Sequence, residues 1–468
     1  MTLVVLDIVG LTPKLLRHTP TLRSVGEAGF QAPLTPSFPA VTCTVQASML
    51  TGAMPSEHGI VGNGWYFRDL GEPLLWRQHN RLVGGDLMWD ALRRERPGAR
   101  VANVCWWYAM GATTDWTVTP RPIYRADGRK DPDFYARPPA LHAELTSRLG
   151  DFPLFHYWGP TASIKSTRWI VAAAGRILAA HRPDVLLVYV PHLDYDLQRY
   201  GPGDSRAGAA AGEVDMAVRP LIEVCRARGD DVLCVSEYGI TEVARPVHIN
   251  RALRSAGLLE VHVQDGMEYL DPWASRAFAV ADHQIAHIYV ADPADVPRAR
   301  AVVASLPGVD EVHAGEGKQR LGIDHPRAGE LVAVAEPDAW FTYYYWHDND
   351  RAPDFARTVE IHRKPGYDPM ELLFDPAEPT AARIRAAKAL ARKMAGLRYR
   401  MDVVGLDATH IRGSHGRLPD SAEDGPVVLC SRGEFAGAGL AREGLAREGL
   451  AATDVKGLIL GLAGASGR

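Results

Sequence analysis

Thr42 stands where residues 37–52 (Ser-Phe-Pro-Ala-Val-Thr-Cys-Thr-Val-Gln-Ala-Ser-Met-Leu-Thr-Gly) pass from an extended, proline-marked lead-in to ten residues able to wind as a helix. A hydroxyl at that point sits beside the free amide donors and positive dipole end of the helix, which would then face any anion its oxygen attacks. Thr also caps helices routinely with no chemistry involved, so the rest of the chain must decide between the two roles. Three apolar, strand-like runs each deliver an acid: Asp7 closes Leu3-Val4-Val5-Leu6, Asp194 follows Val185-Leu186-Leu187-Val188-Tyr189-Val190, and Glu237 follows Val232-Leu233-Cys234-Val235-Ser236. Carboxylates at the carboxyl ends of parallel strands converge on one edge of a sheet, where α/β enzymes keep their sites.

The elements needed to hold those acids are legible in the periodicity. Residues 1–245 alternate buried-looking strands with helices, the pattern of a mostly parallel sheet covered on both faces, hence a three-layer α/β/α core. Ile170, Ala173, Ala174, Ile177 and Leu178 fall at helical spacing in 166–180, before a strand over 184–190. Val214, Val218, Leu221 and Cys225 do the same in 212–228, before the strand 232–235. Between the first βα unit and residue 166 the chain is rich in aromatics and prolines, and this stretch is expected to drape over the edge carrying Asp7 and Thr42. After residue 240 the pattern turns strand-rich with short helices: a strand-like stretch 278–290, a helix 295–304, and strands 309–314 and 331–336. This predicts an α+β cap over 246–399 inserted in a core of 1–245 and 400–468. The tandem Gly-Leu-Ala-Arg-Glu within 439–450 has a period that suits neither helix face and reads as a local duplication without chemistry.

The composition narrows the function classes. At 468 residues with 46% apolar and 23% charged, the chain can bury a sizeable core in two lobes. A net charge of -4 gives no footprint for a nucleic acid polymer or an anionic membrane. No apolar run reaches spanning length and the first strand begins near residue 3, so the expectation is a cytoplasmic protein without a signal peptide. Five scattered cysteines, with no Cys-x-x-Cys pair, read as buried thiols of a reducing compartment.

Six blocks, in order, resemble the alkaline phosphatase superfamily in its nucleotide pyrophosphatase/phosphodiesterase branch. They are an opening strand ending in Asp7, Phe38-Pro39-Ala40-Val41-Thr42 closing in Thr51-Gly52, the Pro-x-x-His-Gly-Ile-x-Gly-Asn block over 55–63, and Asp194 followed by Gly201-Pro202. Ser236-Glu237-Tyr238-Gly239 and Gly413-Ser414-His415-Gly416 complete the set. The resemblance implies a phosphoric ester hydrolase in which Thr42 attacks phosphorus, forming a phosphoryl-threonine, between two divalent metal ions, zinc or manganese. By position, Asp7, Thr42 and Glu237 would serve one metal, and Asp194 and His415 the other. Asn63 would help hold the phosphoryl oxygens. Two metal-binding imidazoles of the family pattern are replaced here, one by Gln198 and one by Tyr238, and the family's Asp at position 237 is Glu. An oxygen-richer set suits Mn²⁺, Mg²⁺ or Fe²⁺ better than a His-rich one does. Gln198, Tyr238, His283 and His362 are the further candidates for ligands or for supports of ligands.

The resemblance also implies a small-molecule phosphate ester or nucleotide-like substrate. The aromatics Trp106, Trp107, Tyr344 and Trp346, with the basic pair Arg363-Lys364, are the expected substrate wall and favour a phosphodiester, since a second ester group has a face to stack on. A phosphomonoesterase or phosphonate hydrolase on the same scaffold, and a binding homologue that lost catalysis through Gln198 and Tyr238, stand as the alternatives. A sulfatase is excluded, because Cys43-Thr44-Val45-Gln46-Ala47 lacks the Pro and Arg such a nucleophile precursor requires. The sequence leaves oligomeric state open.

Overall fold

The computed structural model describes residues 1–126, 129–433 and 449–465; most of the Gly-Leu-Ala-Arg-Glu tandem lies outside them. Uninterrupted apolar runs build the centre of the molecule. The strand Leu3–Ile8 is buried at every position and pairs in parallel with Val185–Val190 on one side and Asp231–Val235 on the other. Strands buried on both faces need helices above and below, and read as continuous rather than alternating hydrophobic sequence. Outward from this trio the sheet extends to nine strands: Val101–Val104, Trp116–Pro120 and Phe134–Arg137 on one flank, Val427–Cys430, Phe30–Thr35 and Leu450–Ala451 on the other. Most pairs are parallel; Val427–Cys430 runs antiparallel to both neighbours, and Phe134–Arg137 is an antiparallel edge.

The helices expected over 166–180 and 212–228 are Ile164–His181 and the C-terminal part of Ser205–Arg228. The aromatic, proline-rich stretch departs from expectation. Much of it is sheet, supplying the three strands Val101–Val104, Trp116–Pro120 and Phe134–Arg137. Short strands between aromatics lack the repeat that makes the central strands legible.

A second, four-stranded antiparallel sheet runs in the order Ala277–Asp282, Ile285–Val290, Leu331–Ala335, Val309–His313. The single strand-like stretch expected over 278–290 is a hairpin, turned at His283, whose φ of 62° lies in the left-handed region. That turn presents His283 at the end of the hairpin instead of within a strand. Around this sheet gathers a second hydrophobic cluster that includes Phe341, Tyr343, Tyr344, Tyr345 and Trp346 and also takes in Phe38, Cys43, Ile60 and Val61 from the N-terminal part. Among the described residues no helix is long and apolar enough to cross a membrane.

Candidate active site

Strand register places the three acids together. Asp7 lies opposite Val235 on one neighbouring strand and Tyr189 on the other. Glu237 follows two residues beyond Val235, and Asp194 sits in the first turn of the helix His192–Tyr200 that continues from Val190. Thr42 is the first residue of the helix Thr42–Thr51, which Val41 enters in extended conformation, so its hydroxyl is not spent on a cap. It meets the Tyr238 hydroxyl at 2.9 Å. Tyr238 in turn donates to Asp194 Oδ1 at 3.4 Å, which leaves the Thr42 proton as the one shared between the two hydroxyls.

One turn further along the same helix, Gln46 reaches back to the acids. Its Nε2 donates to Asp7 Oδ2 at 2.9 Å and to Glu237 Oε1 at 2.6 Å, while its Oε1 accepts from the Trp107 amide at 2.7 Å. Gln46 was not singled out from the sequence. Its signal is its spacing, four residues after Thr42, which puts both on one helix face. Asp7 Oδ1 and Glu237 Oε2 have no partner although both side chains are fully buried. Burial raises the pKa of both carboxyls, and the Asp7 charge raises that of Glu237 further. Two buried acids, one neutral donor between them and two free oxygens form a site short of positive charge. A divalent ion fits that deficit, with Asp7, Glu237 and Thr42 supplying oxygen.

On the other side of Thr42, the turn after Gly413–Ser414 brings His415 in. Gly413 lies so close to the helix His192–Tyr200 that an added Cβ would collide with the Leu197 carbonyl oxygen. His415 Nδ1 donates to the Ala40 carbonyl at 2.8 Å, so Nε2 carries the lone pair; it has no hydrogen-bond partner and stands 3.7 Å from Asp194 Oδ1. Burial holds the His415 pKa down at about 3, so the ring is neutral, and burial pushes Asp194 up to about 7. The Tyr238 ring stacks on His415 with centroids 3.6 Å apart and planes 8° apart. His283 packs against His415 at 3.7 Å and stacks on Tyr367 at 3.6 Å. Tyr367, also absent from the sequence reading, donates to Gln198 Oε1 at 2.8 Å. The Gln198 amide favours the charged form of Asp194, though Nε2 falls short of a formed hydrogen bond.

Asn63 is wired to the helix start and to the hairpin. Its Oδ1 accepts from the Cys43 amide at 3.0 Å, and Asp282 accepts from both its Nδ2 at 3.0 Å and its backbone amide at 2.7 Å. Thr42 is 4% exposed and Asp194 9%, so the group is closed to solvent in this conformation.

The expected substrate wall is corrected by the structure. Trp106 belongs to the core of the main sheet, and Tyr344 and Trp346 lie fully buried around the second sheet, Tyr344 stacked on His248 and Trp346 bonded to Asn349. Large rings released from water stabilise a core by more than they could gain at a solvent-facing wall. Of these rings Trp107 alone touches the site, and it does so through its backbone amide on Gln46; its ring packs on Trp76, 4.9 Å away. Lys364 is buried in ion pairs with Asp368 and Glu371, both at 2.7 Å, and is not available to a substrate. Arg363 is exposed and lies beside Asp354 and Phe355. His362 bonds the Leu75 carbonyl at 3.3 Å and, unlike His283, stands outside the cluster of acids.

A doubly covered, mostly parallel sheet with a hydroxyl at a helix start and acids on adjacent strand ends is the architecture of the alkaline phosphatase superfamily. A family model described as Type I phosphodiesterase / nucleotide pyrophosphatase matches residues 3–368, and the chain belongs to that family. An uncharacterised pyrophosphatase/phosphodiesterase of Schizosaccharomyces pombe is 23% identical over 268 residues, covering 51% of this chain and 44% of that protein. Ectonucleotide pyrophosphatase/phosphodiesterase 1 of Saccharomyces cerevisiae is 23% identical over 277 residues, covering 53% and 35%. The chain thus spans less than half the length of these two relatives. Phosphonoacetate hydrolase from Sinorhizobium meliloti, solved with phosphonoformate, shares the fold with a TM-score of 0.61 at 16% identity, over 99% of this chain and 96% of that one. Murine ectonucleotide pyrophosphatase/phosphodiesterase 5, an inactive variant solved with AMP, gives 0.58 at 14%, over 99% and 95%.

Proposed function

We propose that this chain is a divalent-metal-dependent phosphodiesterase that uses Thr42 as nucleophile and passes through a phosphoryl-threonine. The observation that carries the reading is the Thr42 hydroxyl at the first residue of its helix, with Asp7 and Glu237 on one side and Asp194 and His415 on the other. Asp7, Glu237 and Thr42 would hold a divalent ion, zinc or manganese, which when bound supplies Lewis acidity to the phosphoryl group and lowers the pKa of the threonine hydroxyl. The chain's own part is to hold Thr42 in line and to take its proton. Tyr238 accepts it along the bond already formed, while Asp194 accepts from Tyr238. The Thr42 Oγ1 to phosphorus bond forms as the bond to the departing alcohol oxygen breaks, and the alcohol leaves with the proton that Thr42 gave up. Water then adds its oxygen to phosphorus, the bond to Thr42 Oγ1 breaks, and a water proton restores the hydroxyl. The helix start at Thr42 turns its positive dipole end toward the developing negative charge, while the Cys43 amide itself is held by Asn63 Oδ1.

The substrate class is a small-molecule phosphate ester or nucleotide-like compound, with no nucleic acid polymer and no membrane as partner. AMP and phosphonoformate in the structural neighbours support ligands of that size and charge. The five free, buried cysteines support a cytoplasmic location. Thr42→Ala is expected to abolish most turnover of an aryl phosphodiester with a stability change of only about 1 kcal/mol, that of the one hydrogen bond to Tyr238, and Thr42→Ser to keep part of the activity. Wild-type rates in the alanine variant refute the nucleophile. For the diester preference, kcat/KM of matched aryl monoester and diester is the measurement. A tenfold preference for the monoester, about 1.4 kcal/mol, moves the assignment to phosphatase.

A further inference from the structure

We infer that the site holds one divalent cation, not two, and that the Tyr238 hydroxyl occupies the position between Thr42 and Asp194 that a second ion would need. The inference rests on the proposed function and deepens it.

The two halves of the site differ in what they lack. On the Asp7 and Glu237 side, two fully buried carboxylate oxygens have no partner, and among the described residues neither acid forms an ion pair. On the Asp194 side the carboxylate already has a donor. The phenol reaches Asp194 Oδ1 at 3.4 Å and Thr42 at 2.9 Å, so the space between nucleophile and carboxylate is bridged by a neutral hydroxyl. The ring cannot swing out freely, because it lies flat against His415 and is itself only 2% exposed. Of the other groups there, Gln198 has its carbonyl oxygen, the atom able to bind a cation, committed to Tyr367. His415, Asp194 and His283 are left; the His283 ring, its two nitrogens without a hydrogen-bond partner, is packed between Tyr367 and His415 and is not arranged with the other two to hold a metal. Among the described residues no group of three or more His, Cys, Asp or Glu is arranged to hold a metal, so the Asp7 and Glu237 half depends on Thr42 and on the substrate's own oxygens to complete its ion.

The consequence is a substrate charge. One divalent ion offsets the Asp7 and Glu237 carboxylates, whereas two ions against the three acids would leave the closed site net positive. A monoanionic phosphodiester or phosphonate monoester is therefore favoured over a dianionic phosphomonoester.

Chelator-stripped protein reloaded with Mn²⁺ and desalted tests this by elemental analysis, with titration calorimetry for affinity. The wild type is expected to bind one Mn²⁺ per chain. Tyr238→Phe should keep that one ion, since the phenol is not its ligand. Tyr238→His combined with Gln198→His should bind two, with a spin-coupled manganese pair in its electron paramagnetic resonance spectrum. Two ions of similar affinity in the wild type, none at all, or loss of the ion in Tyr238→Phe each overturns the inference. Turnover of an aryl diester is read separately: one bound ion without turnover refutes the proposed hydrolase and leaves the stoichiometry standing.

Discussion

Gln46 shows how one neutral side chain lets two acids share a buried edge. Its amide nitrogen serves both Asp7 and Glu237, and its oxygen is held by the Trp107 amide, so it cannot turn away. Gln46→Leu removes both donors and strands two fully buried carboxyl groups. In metal-free protein this is expected to cost about 1–3 kcal/mol, read from urea unfolding with chelator present. Unchanged stability would show that the pair is satisfied in some other way. Lys364 makes the complementary case for a charge. It sits 1% exposed between Asp368 and Glu371, and Glu371 also accepts from Trp158 Nε1 at 2.6 Å. Lys364→Met leaves two buried acids without their cation and is expected to cost about 3–5 kcal/mol of stability. An effect below about 1 kcal/mol would mean that the acids take up protons and stay neutral.

At the scale of elements, the site depends on segments that arrive from far along the chain and lock against the helix His192–Tyr200. The short strand Gly413–Ser414 pairs with Thr241–Glu242, and Arg412 donates its amide to the Gln198 carbonyl at 3.0 Å. Gly413 permits this closeness, since any side chain would meet the Leu197 carbonyl. Gly413→Ala is therefore expected to push the His415 turn off the helix, lowering stability by about 1–3 kcal/mol and turnover with it. The measurement is thermal unfolding alongside aryl diester hydrolysis; normal activity would place the His415 turn outside the reaction. Gly366 plays a similar part, its backbone pressed against Tyr343 and Ala281 so that Tyr367 can reach His283 and Gln198.

Over the whole molecule, buried neutral histidines set an acid limit. His287 donates Nε2 to the Val61 carbonyl at 2.8 Å and accepts the Gly329 amide on Nδ1, and burial brings its pKa down to about 4. His58 is held at about 3 by burial and by the nearby charges of His325 and Arg327. Unfolded, each would titrate near the ordinary value of 6.5. The unfolded chain thus binds more protons as pH falls, and the stability present above about 6.5 is lost toward about 4 at up to about 1.4 kcal/mol per pH unit for each ring. Asp7 and Asp194, raised to about 7, and Asp282, raised to about 6, act in the opposite sense throughout that window, because there the folded chain keeps protons that the unfolded carboxyls release. A comparison isolates the histidine contribution: His287→Gln should flatten the loss of melting temperature between pH 6.5 and 4 relative to wild type, and parallel curves would refute the assignment.

Some of this was legible in the sequence because it is set by local pattern. Apolar runs long enough to be buried on both faces mark the strands Leu3–Ile8, Val185–Val190 and Asp231–Val235, and an acid at the end of each must emerge on one edge if the strands are parallel. Thr42 at a helix start, and the resemblance that drew His415 into the same group, needed no coordinates. The fate of the aromatics did not follow, because a ring's burial depends on which distant element packs over it; Tyr344 and Trp346 went to the core of the second sheet and Tyr367 to His283. The hairpin at His283 was hidden because one positive φ, not a change of composition, breaks the stretch. Above all, the place of the Tyr238 hydroxyl between Thr42 and Asp194 depends on how segments separated by 196 and 44 residues come together, and only tertiary packing sets that distance.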